Sequence, residues 1–410
     1  MGRTLRRTVQ LASYNTTSGG APFGSAGADS QRIPPWYVAY LSYLPLQRHS
    51  YPSVFLSRQP DTDSSPILNN ALIDTQTLVS DVKQALVPVP ASFCDLVRYQ
   101  FDAGGKLLRP LLVTLVAACA NIHANSPGEI SFEDDPLFGL YRNRKLGHTV
   151  SPSQHRIAMI TEMIHTASLI HDDLLDSANL RRGKKTVYKR FGHKEAILGG
   201  DFVLTHSSRL LAEIGDTEII VVLSQVIADL IHGELLQLTT EADDTRRFQA
   251  YLDKTYRKTA SLMANSCKAA VMLTRPKLSP ELVDCVYEFG RHFGMAFQLI
   301  DDVLDFVADE KNLGKPGGGA DLQTGVATGP VLFAAQSFPE LDEILLRQFG
   351  LEGDKERALE LVEKSDGIGQ TRMLAEFHFQ AAQRCLTRFR DSPSRKALLH
   401  VAAKCLQRTN

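Results

Sequence analysis

Apolar residues recur every three or four positions over most of the chain from residue 69 onward, which is the spacing of amphipathic α-helices. No segment combines the alternating pattern of a half-buried strand with the turn signals of a hairpin. The chain is therefore predicted to be all-α, a single large helical bundle with a central cavity into which helix side chains point. The clearest helical period covers residues 156–170, 195–214, 218–238, 251–273, 280–308 and 371–389.

Three segments interrupt this pattern. Residues 126–152 are polar and rich in turn formers, residues 309–328 are rich in glycine, and residues 354–370 contain a Ser-Asp-Gly turn. The helical period resumes after each of them, so none marks a domain boundary and residues 69–410 are predicted to form one domain. We interpret residues 126–152 as a loop insertion, and favour a solvated loop over a partner-binding element.

The N-terminal region differs in composition from the rest of the chain. It carries Arg3, Arg6 and Arg7 among many serines, threonines and glycines, and Asp29 is its only acidic residue up to position 59. This composition is typical of a mitochondrial transit peptide. Residues 1–60 are therefore predicted to be a transit peptide and linker, the alternative being a basic tail without a targeting role.

Composition excludes several classes of function. With 45 basic and 46 acidic residues, the formal net charge of −1 gives no indication of nucleic-acid binding. The longest nearly continuous apolar run, residues 111–120, is shorter than the roughly 20 residues that a membrane-spanning helix needs. The six cysteines show no metal-binding spacing and are interpreted as reduced thiols.

Two clusters with the pattern Asp-Asp-x-x-Asp lie inside long apolar, helix-forming stretches. Residues four apart share one face of a helix, so each cluster is predicted to present a pair of carboxylates. The pairs are Asp172 and Asp176 in the first cluster and Asp301 and Asp305 in the second.

Carboxylates in apolar surroundings are costly unless a cation compensates their charge. Mg²⁺ takes oxygen ligands and is typically held by one or two carboxylates together with substrate phosphates. A single copy of the pattern would favour a solvated acidic helix face, whereas two copies in apolar helices favour a diphosphate clamped by Mg²⁺.

Basic and polar residues that could bind a diphosphate occur near both clusters. Each would ordinarily be a solvated surface residue, a helix-end charge or a satisfied core histidine, and only their combination with the acidic pairs suggests phosphate binding. These residues are Lys106, Arg109, His165, Arg181, Arg182, Lys258, Thr259, Gln298 and Lys315.

The order of these motifs resembles the trans-polyprenyl diphosphate synthases. The motifs are GGKxxRP, HTASLIHDDxxDxxxxRRG, GELLQL, KTA, FQLIDDVLDF and GKP, and they span roughly residues 75–405. The residues within several of these motifs are most similar to those of the animal mitochondrial members of the family, which make the side chain of ubiquinone. The resemblance implies the isoprenoid synthase fold and a prenyltransferase that condenses isopentenyl diphosphate with a farnesyl or geranylgeranyl diphosphate primer, using Mg²⁺.

The resemblance also assigns roles to individual residues. The residues expected to act in catalysis are Asp172, Asp173, Asp176, Lys258, Asp301 and Asp302. The expected Mg²⁺ ligands are Asp172, Asp176, Asp301 and Asp305. The expected contacts of the allylic diphosphate are Arg181, Lys258, Thr259 and Gln298, with Lys315 on the neighbouring glycine-rich loop. The expected contacts of isopentenyl diphosphate are Lys106, Arg109, His165 and Arg182.

Product length and assembly are the last inferences from the sequence. Ala167 and Ser168 lie about one helical turn before Asp172, and their small side chains predict a pocket that admits a long prenyl tail. Val326 stands where bacterial relatives usually have a lysine. The animal relatives share this departure and work with a second, non-identical subunit, so the resemblance implies a hetero-oligomer, such as a heterotetramer. We expect the protein in the mitochondrial matrix, and its very apolar product suggests peripheral contact with the inner membrane.

Three alternatives remain at this point. The chain could be a non-catalytic regulatory subunit, a synthase of shorter products, or a terpene cyclase. The acidic pairs argue against a regulatory subunit. Lys106 and Arg109 argue against a cyclase, which has no use for an isopentenyl diphosphate site.

Overall fold

The fold is helical, as the sequence pattern predicts. The computed structural model describes residues 77–87, 91–102, 107–126, 128–141, 149–237, 244–307, 320–323 and 325–407. Within these ranges the strands are limited to a two-residue antiparallel pair, β1 (Leu180–Arg181) and β2 (Lys184–Lys185). The predicted transit peptide lies outside the described residues.

A helical stretch over residues 77–85 precedes sixteen labelled helices within the described ranges. They are α1 (Ala91–Phe101), α2 (Leu108–Ala124), α3 (Phe138–Tyr141), α4 (Pro152–Leu175), α5 (Val187–Phe191), α6 (His193–Ile214), α7 (Thr217–Gln237), α8 (Asp244–Thr255), α9 (Ser261–Met272), α10 (Pro280–Val307), α11 (Ala320–Gln323), α12 (Gly329–Ala335), α13 (Glu340–Leu346), α14 (Asp354–Lys364), α15 (Gly367–Leu386) and α16 (Pro393–Leu406). A π-helical turn, Tyr256–Ala260, joins α8 to α9. The predicted segments match these helices to within a few residues, except that the segment at 251–273 divides into α8, the π turn and α9.

Among the described residues, three large hydrophobic clusters and a smaller one between α1, α4, α5 and α6 hold the helices together. The first lies mainly between α4, α6, α7 and α9, and the second between α8, α10 and the helices α12 to α15. The third joins α2, α9, α10, α15 and α16. The helix α9 contributes to two of these clusters and is buried over most of its length, so it forms the centre of the bundle.

Small residues allow α10 to lie unusually close to α9 and the π turn. A Cβ atom added at Gly294 would stand 2.5 Å from the Cα atom of Ala260, and one added at Gly290 would stand 2.7 Å from the Cα atom of Ala264. Real Cβ atoms do not approach backbone atoms so closely. These two glycines therefore fix the distance between the two elements that carry the second acidic cluster and the KTA motif.

The helix α4 is defined at both ends by local chemistry. At its start, Ser151 and Gln154 form a reciprocal capping box, which satisfies backbone N–H groups of the first turn. At its end the chain reverses through left-handed residues at Ser177, Arg182 and Gly183. This reversal brings the arginines that follow the first acidic cluster back alongside α4.

The described part of the predicted insertion is attached to the bundle. It contains the short helix α3, and Leu137 is buried in the first hydrophobic cluster. The carboxylate of Asp135 accepts hydrogen bonds from the backbone N–H and the hydroxyl of Ser153 at 3.1 and 2.7 Å. The interpretation of this whole segment as a solvated loop is therefore wrong for residues 135–141, because they pack against the start of α4.

The helix α7 is long and apolar enough to cross a membrane, judged by length and composition alone, and 28% of its most apolar stretch is buried. Its apolar run is interrupted by Gln225 and Asp229. The carboxylate of Asp229 is buried and binds Arg257 at 3.0 Å and the hydroxyl of Ser261 at 2.5 Å. One face of α7 is thus fixed to the π turn and α9 by polar contacts inside the protein.

Candidate active site

A cavity of about 1150 Å³ lies between α4, the end of α7, α8 with the π turn, and α10. The residues predicted from the sequence that line this cavity are Arg109, His165, Ser168, Asp172, Asp176, Arg181, Arg182, Lys258, Thr259, Gln298, Asp301 and Asp302. Both acidic clusters therefore face one cavity, on opposite helices. Lys106 and Lys315 lie outside the described residues.

The first acidic cluster forms one wall at the end of α4. Asp172 and Asp176 are joined there by Glu234 of α7, and the ammonium of Lys258 makes an ion pair with Glu234. Lys258 also donates to the side-chain oxygen of Gln237 at 3.0 Å. Burial, and then the negative charges of Glu234 and Asp176, raise the pKa of Asp172 to about 7, while Lys258 opposes this rise. Burial likewise raises the pKa of Asp176.

This wall fits a hard divalent cation. Its donors are carboxylate oxygens. Burial is the largest cause of their raised pKa values, the negative charge of Glu234 adds to the rise, and Lys258 opposes it. Among the described residues no three carboxylate, imidazole or thiol groups converge closely enough to hold a metal alone. Such a donor set fits Mg²⁺, which completes its coordination with waters and substrate phosphates.

The second acidic cluster forms the opposite wall, but its three aspartates differ. Asp301 lines the cavity. Asp302 is 3% exposed, and its two oxygens accept hydrogen bonds from Tyr251 at 2.5 Å and from Gln298 at 2.9 Å. Burial raises the pKa of Asp302, and these two hydrogen bonds oppose the rise. The structure thus uses Asp302 to hold α10 against α8.

Two more predicted residues, Thr259 and Asp305, make hydrogen bonds within the protein. Thr259 donates to the side-chain oxygen of Gln298 at 2.8 Å, so the KTA motif and α10 are connected directly. Asp305 accepts a hydrogen bond from the backbone N–H of Asp321 at 2.9 Å and is not among the residues that line the cavity. In this structure Asp305 orders the start of α11.

Asp173 faces a different direction from Asp172. It is 3% exposed and accepts a hydrogen bond from Nε of Arg181 at 2.7 Å. It lines a second, smaller cavity of about 250 Å³ that shares Arg181 and Arg182 with the first. Asp173 therefore orients Arg181 after the chain reversal.

Arg109 and His165 form a buried pair between the two cavities. Nη1 of Arg109 lies 2.9 Å from Nε2 of His165. Burial, and then the charge of Arg109, lower the pKa of His165 well below its ordinary value. Because a guanidinium can only donate, Nε2 of the neutral imidazole is the acceptor, and its N–H on Nδ1 remains available to another group. Burial also lowers the pKa of Arg109.

The two residues predicted to set product length are placed differently. Ser168 lines the cavity, and its hydroxyl donates to the backbone carbonyl of His165 at 3.0 Å. Ala167 is 2% exposed and packs within the first hydrophobic cluster rather than along the cavity surface. The role of Ala167 in product length stays a prediction.

The structure adds charged residues that the sequence analysis missed. Glu162 lies one turn before His165 and lines both cavities, and burial raises its pKa to about 7. Lys254 lies one turn before Lys258 and lines the main cavity, together with Asp321. The sequence signal for Glu162 and Lys254 was their spacing of three and four from predicted site residues, which places them on the same helix faces.

The chain is similar to known proteins over most of its length. A family model described as polyprenyl synthetase matches residues 90–362. The all trans-polyprenyl-diphosphate synthase of Homo sapiens is 44% identical over 335 residues, covering 82% of this chain and 75% of that protein. Decaprenyl-diphosphate synthase subunit 1 of Schizosaccharomyces pombe is 41% identical over 321 residues, covering 76% of this chain and 83% of that protein.

Solved structures share the fold. A polyprenyl synthase from Caulobacter crescentus, crystallised with calcium and isoprenyl diphosphate, superposes with a TM-score of 0.71 at 28% identity, covering 86% of this chain and 100% of that one. The architecture is thus the all-α isoprenoid synthase fold, and the chain is a prenyltransferase. The chain belongs to the polyprenyl synthetase family.

Proposed function

We propose that this chain is the catalytic subunit of a long-chain all-trans-polyprenyl diphosphate synthase. It condenses isopentenyl diphosphate units with an allylic primer, farnesyl or geranylgeranyl diphosphate, in the presence of Mg²⁺. The observation that carries the proposal is that two acidic walls share one cavity with a second set of cations, the part-buried Arg109 and the exposed Arg182, near His165. Two diphosphates need two sets of cations, and the cavity provides both.

The residues divide the chemistry between two substrates. Asp172, Asp176 and Asp301 would hold Mg²⁺, which when bound acts as a Lewis acid toward the departing diphosphate. Arg181 and Lys258 bind the allylic diphosphate beside the first acidic wall. As the carbon–oxygen bond of the allylic diphosphate breaks, the double bond of isopentenyl diphosphate forms the new carbon–carbon bond, and a proton is lost.

The isopentenyl group is positioned by the buried pair. Arg109 and Arg182 bind its diphosphate, and the N–H on Nδ1 of His165 is free to donate to it. Phe297 and Leu169 line the cavity as apolar surface, which limits the access of water to the allylic carbon. Thr259 and Gln298 act as positioning residues, because their hydrogen bonds fix α10 and so the position of Asp301.

The same residues argue against the alternatives. A non-catalytic subunit would not need both acidic walls, and a cyclase would not need the Arg109 and His165 pair. Ser168 offers a small side chain where the prenyl tail of the allylic substrate leaves the first acidic wall. These features favour elongation to a long product over the formation of shorter ones.

The cellular context of the proposal rests on the relatives and on the N-terminal composition. Among the relatives are proteins named as mitochondrial hexaprenyl and solanesyl synthases. We place this chain in mitochondria, where its product becomes the side chain of ubiquinone. We also propose that it works with a second, non-identical subunit as a hetero-oligomer, in peripheral contact with the inner membrane.

An activity assay tests the proposal. The full chain is expressed with and without candidate second subunits, then supplied with farnesyl diphosphate, labelled isopentenyl diphosphate and Mg²⁺, and products are separated by reversed-phase chromatography. We expect label in long prenyl diphosphates, and a loss of at least about 100-fold in rate for Asp172→Asn, which removes a metal ligand.

The control is Asp391→Asn, an aspartate whose side chain is 64% exposed between α15 and α16. It should retain the parent rate. Cyclic hydrocarbon products, or full activity of Asp172→Asn, would refute the proposal. Label confined to short products would refute its long-chain part alone.

A further inference from the structure

Lys254 occupies a position in the main cavity that the site described so far does not explain. It lies on α8 one turn before Lys258, is part-buried and lines the cavity. Burial lowers its pKa, and the charges of Asp302 and Asp321 oppose this. An ammonium in such a place is costly unless an anion meets it.

The other cations of the cavity already have partners in the protein. Lys258 makes an ion pair with Glu234 and a hydrogen bond to Gln237. Arg181 binds Asp173. Their charges are at least partly neutralised before any substrate arrives.

The ammonium of Lys254 has no such partner within the described residues. No carboxylate oxygen there lies within 4 Å of it, and the contact it makes is with the ring of Tyr251, whose centroid is 5.8 Å from Nζ. The oxygens of Asp302 are already engaged by Tyr251 and Gln298. The carboxylate of Asp302 is therefore committed elsewhere, and the side chain of Lys254 lines the cavity.

We infer that Lys254 is a further diphosphate-binding residue, donating from its ammonium to an oxygen of the diphosphate held between the two acidic walls. The inference rests on the proposed function, which places a diphosphate there. Its chemical basis is that the ligand is an anion rich in acceptor oxygens, and the buried ammonium is a donor without an acceptor. The negative charge of the diphosphate would then pair with the ammonium of Lys254, which no carboxylate of the described residues does.

Calorimetric titration with inorganic pyrophosphate in the presence of Mg²⁺ tests this inference on the full chain. We expect Lys254→Met to bind pyrophosphate roughly 10-fold or more weakly, as for the loss of one charge-assisted hydrogen bond. Lys254→Arg should retain most of the affinity because it keeps the charge. The matched control is Lys268→Met, a lysine of α9 that pairs with Asp284 and does not line the cavity.

The outcomes separate this inference from the proposed function. If the parent protein binds no pyrophosphate, the proposed function is overturned, and the role of Lys254 with it. If Asp172→Asn loses binding while Lys254→Met binds like the parent, only the role of Lys254 is overturned.

Thermal unfolding of the ligand-free proteins excludes a merely structural role. Removing an unpaired buried charge should leave the melting temperature of Lys254→Met equal to or above that of the parent. A lower melting temperature with unchanged affinity would overturn the inference, as would a loss of affinity in Lys254→Arg equal to that in Lys254→Met.

Discussion

Glu162 is a carboxyl group of the site whose ionisation at neutral pH costs folding stability. Its carboxyl lies between the two cavities, and the nearest positive charges are those of Arg109 and Arg182. These attractions lower its pKa, but burial has the larger effect and raises the pKa to about 7. We interpret Glu162 as a positioning residue for the two arginines rather than as a group that touches substrate.

Glu162→Gln should therefore alter how stability depends on pH. A carboxyl whose pKa rises on folding stabilises the protein below its ordinary value of 4.5, and this contribution is lost as pH rises through 7. At about 1.4 kcal/mol per pH unit, the loss amounts to about 3 kcal/mol by pH 7.5. Relative to the parent, the free energy of unfolding of the variant should rise by this amount between pH 4.5 and pH 7.5.

Denaturant unfolding at several pH values measures this difference. Glu376→Gln, at an exposed position on α15, controls for the substitution itself. If the parent and Glu162→Gln keep a constant difference across the range, Glu162 does not carry the raised pKa.

At the residue scale the sequence predicted which residues line the site better than it predicted the contacts between them. It identified Arg109 and His165 separately, whereas their contact depends on how α2 packs against α4. It also paired Asp301 with Asp305 by the same spacing that pairs Asp172 with Asp176. In the structure Asp302 and Asp305 make hydrogen bonds within the protein, and only tertiary partners such as Tyr251 decide that.

The close packing of α10 against α9 and the π turn controls the distance between the two walls of the site. The KTA motif sits in the π turn, and π-helical turns are frequent at functional sites because they redirect side chains. Gly294 faces Ala260 at the end of that turn. Any side chain at Gly294 must push the two elements apart.

Gly294→Ala should be destabilising for this reason. Its Cβ would meet backbone rather than a flexible side chain, so we expect a loss of about 1–3 kcal/mol in the free energy of unfolding, together with reduced activity. Gly139→Ala in α3 is the matched control, since nothing lies within 4 Å of its added Cβ. Denaturant unfolding of the two variants makes the comparison, and equal effects would mean that the close approach does not matter.

At the element scale the helices followed from the hydrophobic period, because amphipathic faces of 20 residues or more leave a strong pattern. The π turn could not be predicted, because apolar spacings of three and four continue across it and do not mark the one extra residue in the turn. The strands β1 and β2 are too short to show alternation. They matter nonetheless, because they form the reversal that returns Arg181 to Asp173.

At the scale of the whole molecule, the N-terminal region is predicted to direct the chain to mitochondria. Residues 1–60 fused to a fluorescent protein should co-localise with mitochondria in fluorescence microscopy. Replacing Arg3, Arg6 and Arg7 by glutamine should abolish this, because import depends on the positive charge of the presequence. Replacing Arg388, Arg390 and Arg395 instead, in the full chain, should leave localisation unchanged.

An apolar surface on α6 and α7 is the candidate interface for the second subunit that we propose. Val221, Ile231 and Leu235 follow one face of α7 and are 70, 58 and 55% exposed, and Ile197 and Leu198 of α6 are also exposed. Monomeric proteins rarely expose apolar surface of this extent. The surface adjoins the site, since Leu235 follows Glu234, which pairs with Lys258.

Binding of a partner to this surface should therefore influence the first acidic wall as well as assembly. Ile231→Glu places a charge in the middle of the surface, and we expect it to lose co-purification with the co-expressed second subunit while its own melting temperature changes little. Leu351→Glu, at a 62% exposed position in the turn before α14, is the control. Affinity co-purification followed by size-exclusion chromatography measures the effect. Retention of the partner by Ile231→Glu would place the interface elsewhere, because a buried, unpaired glutamate is not tolerated at the centre of an apolar contact.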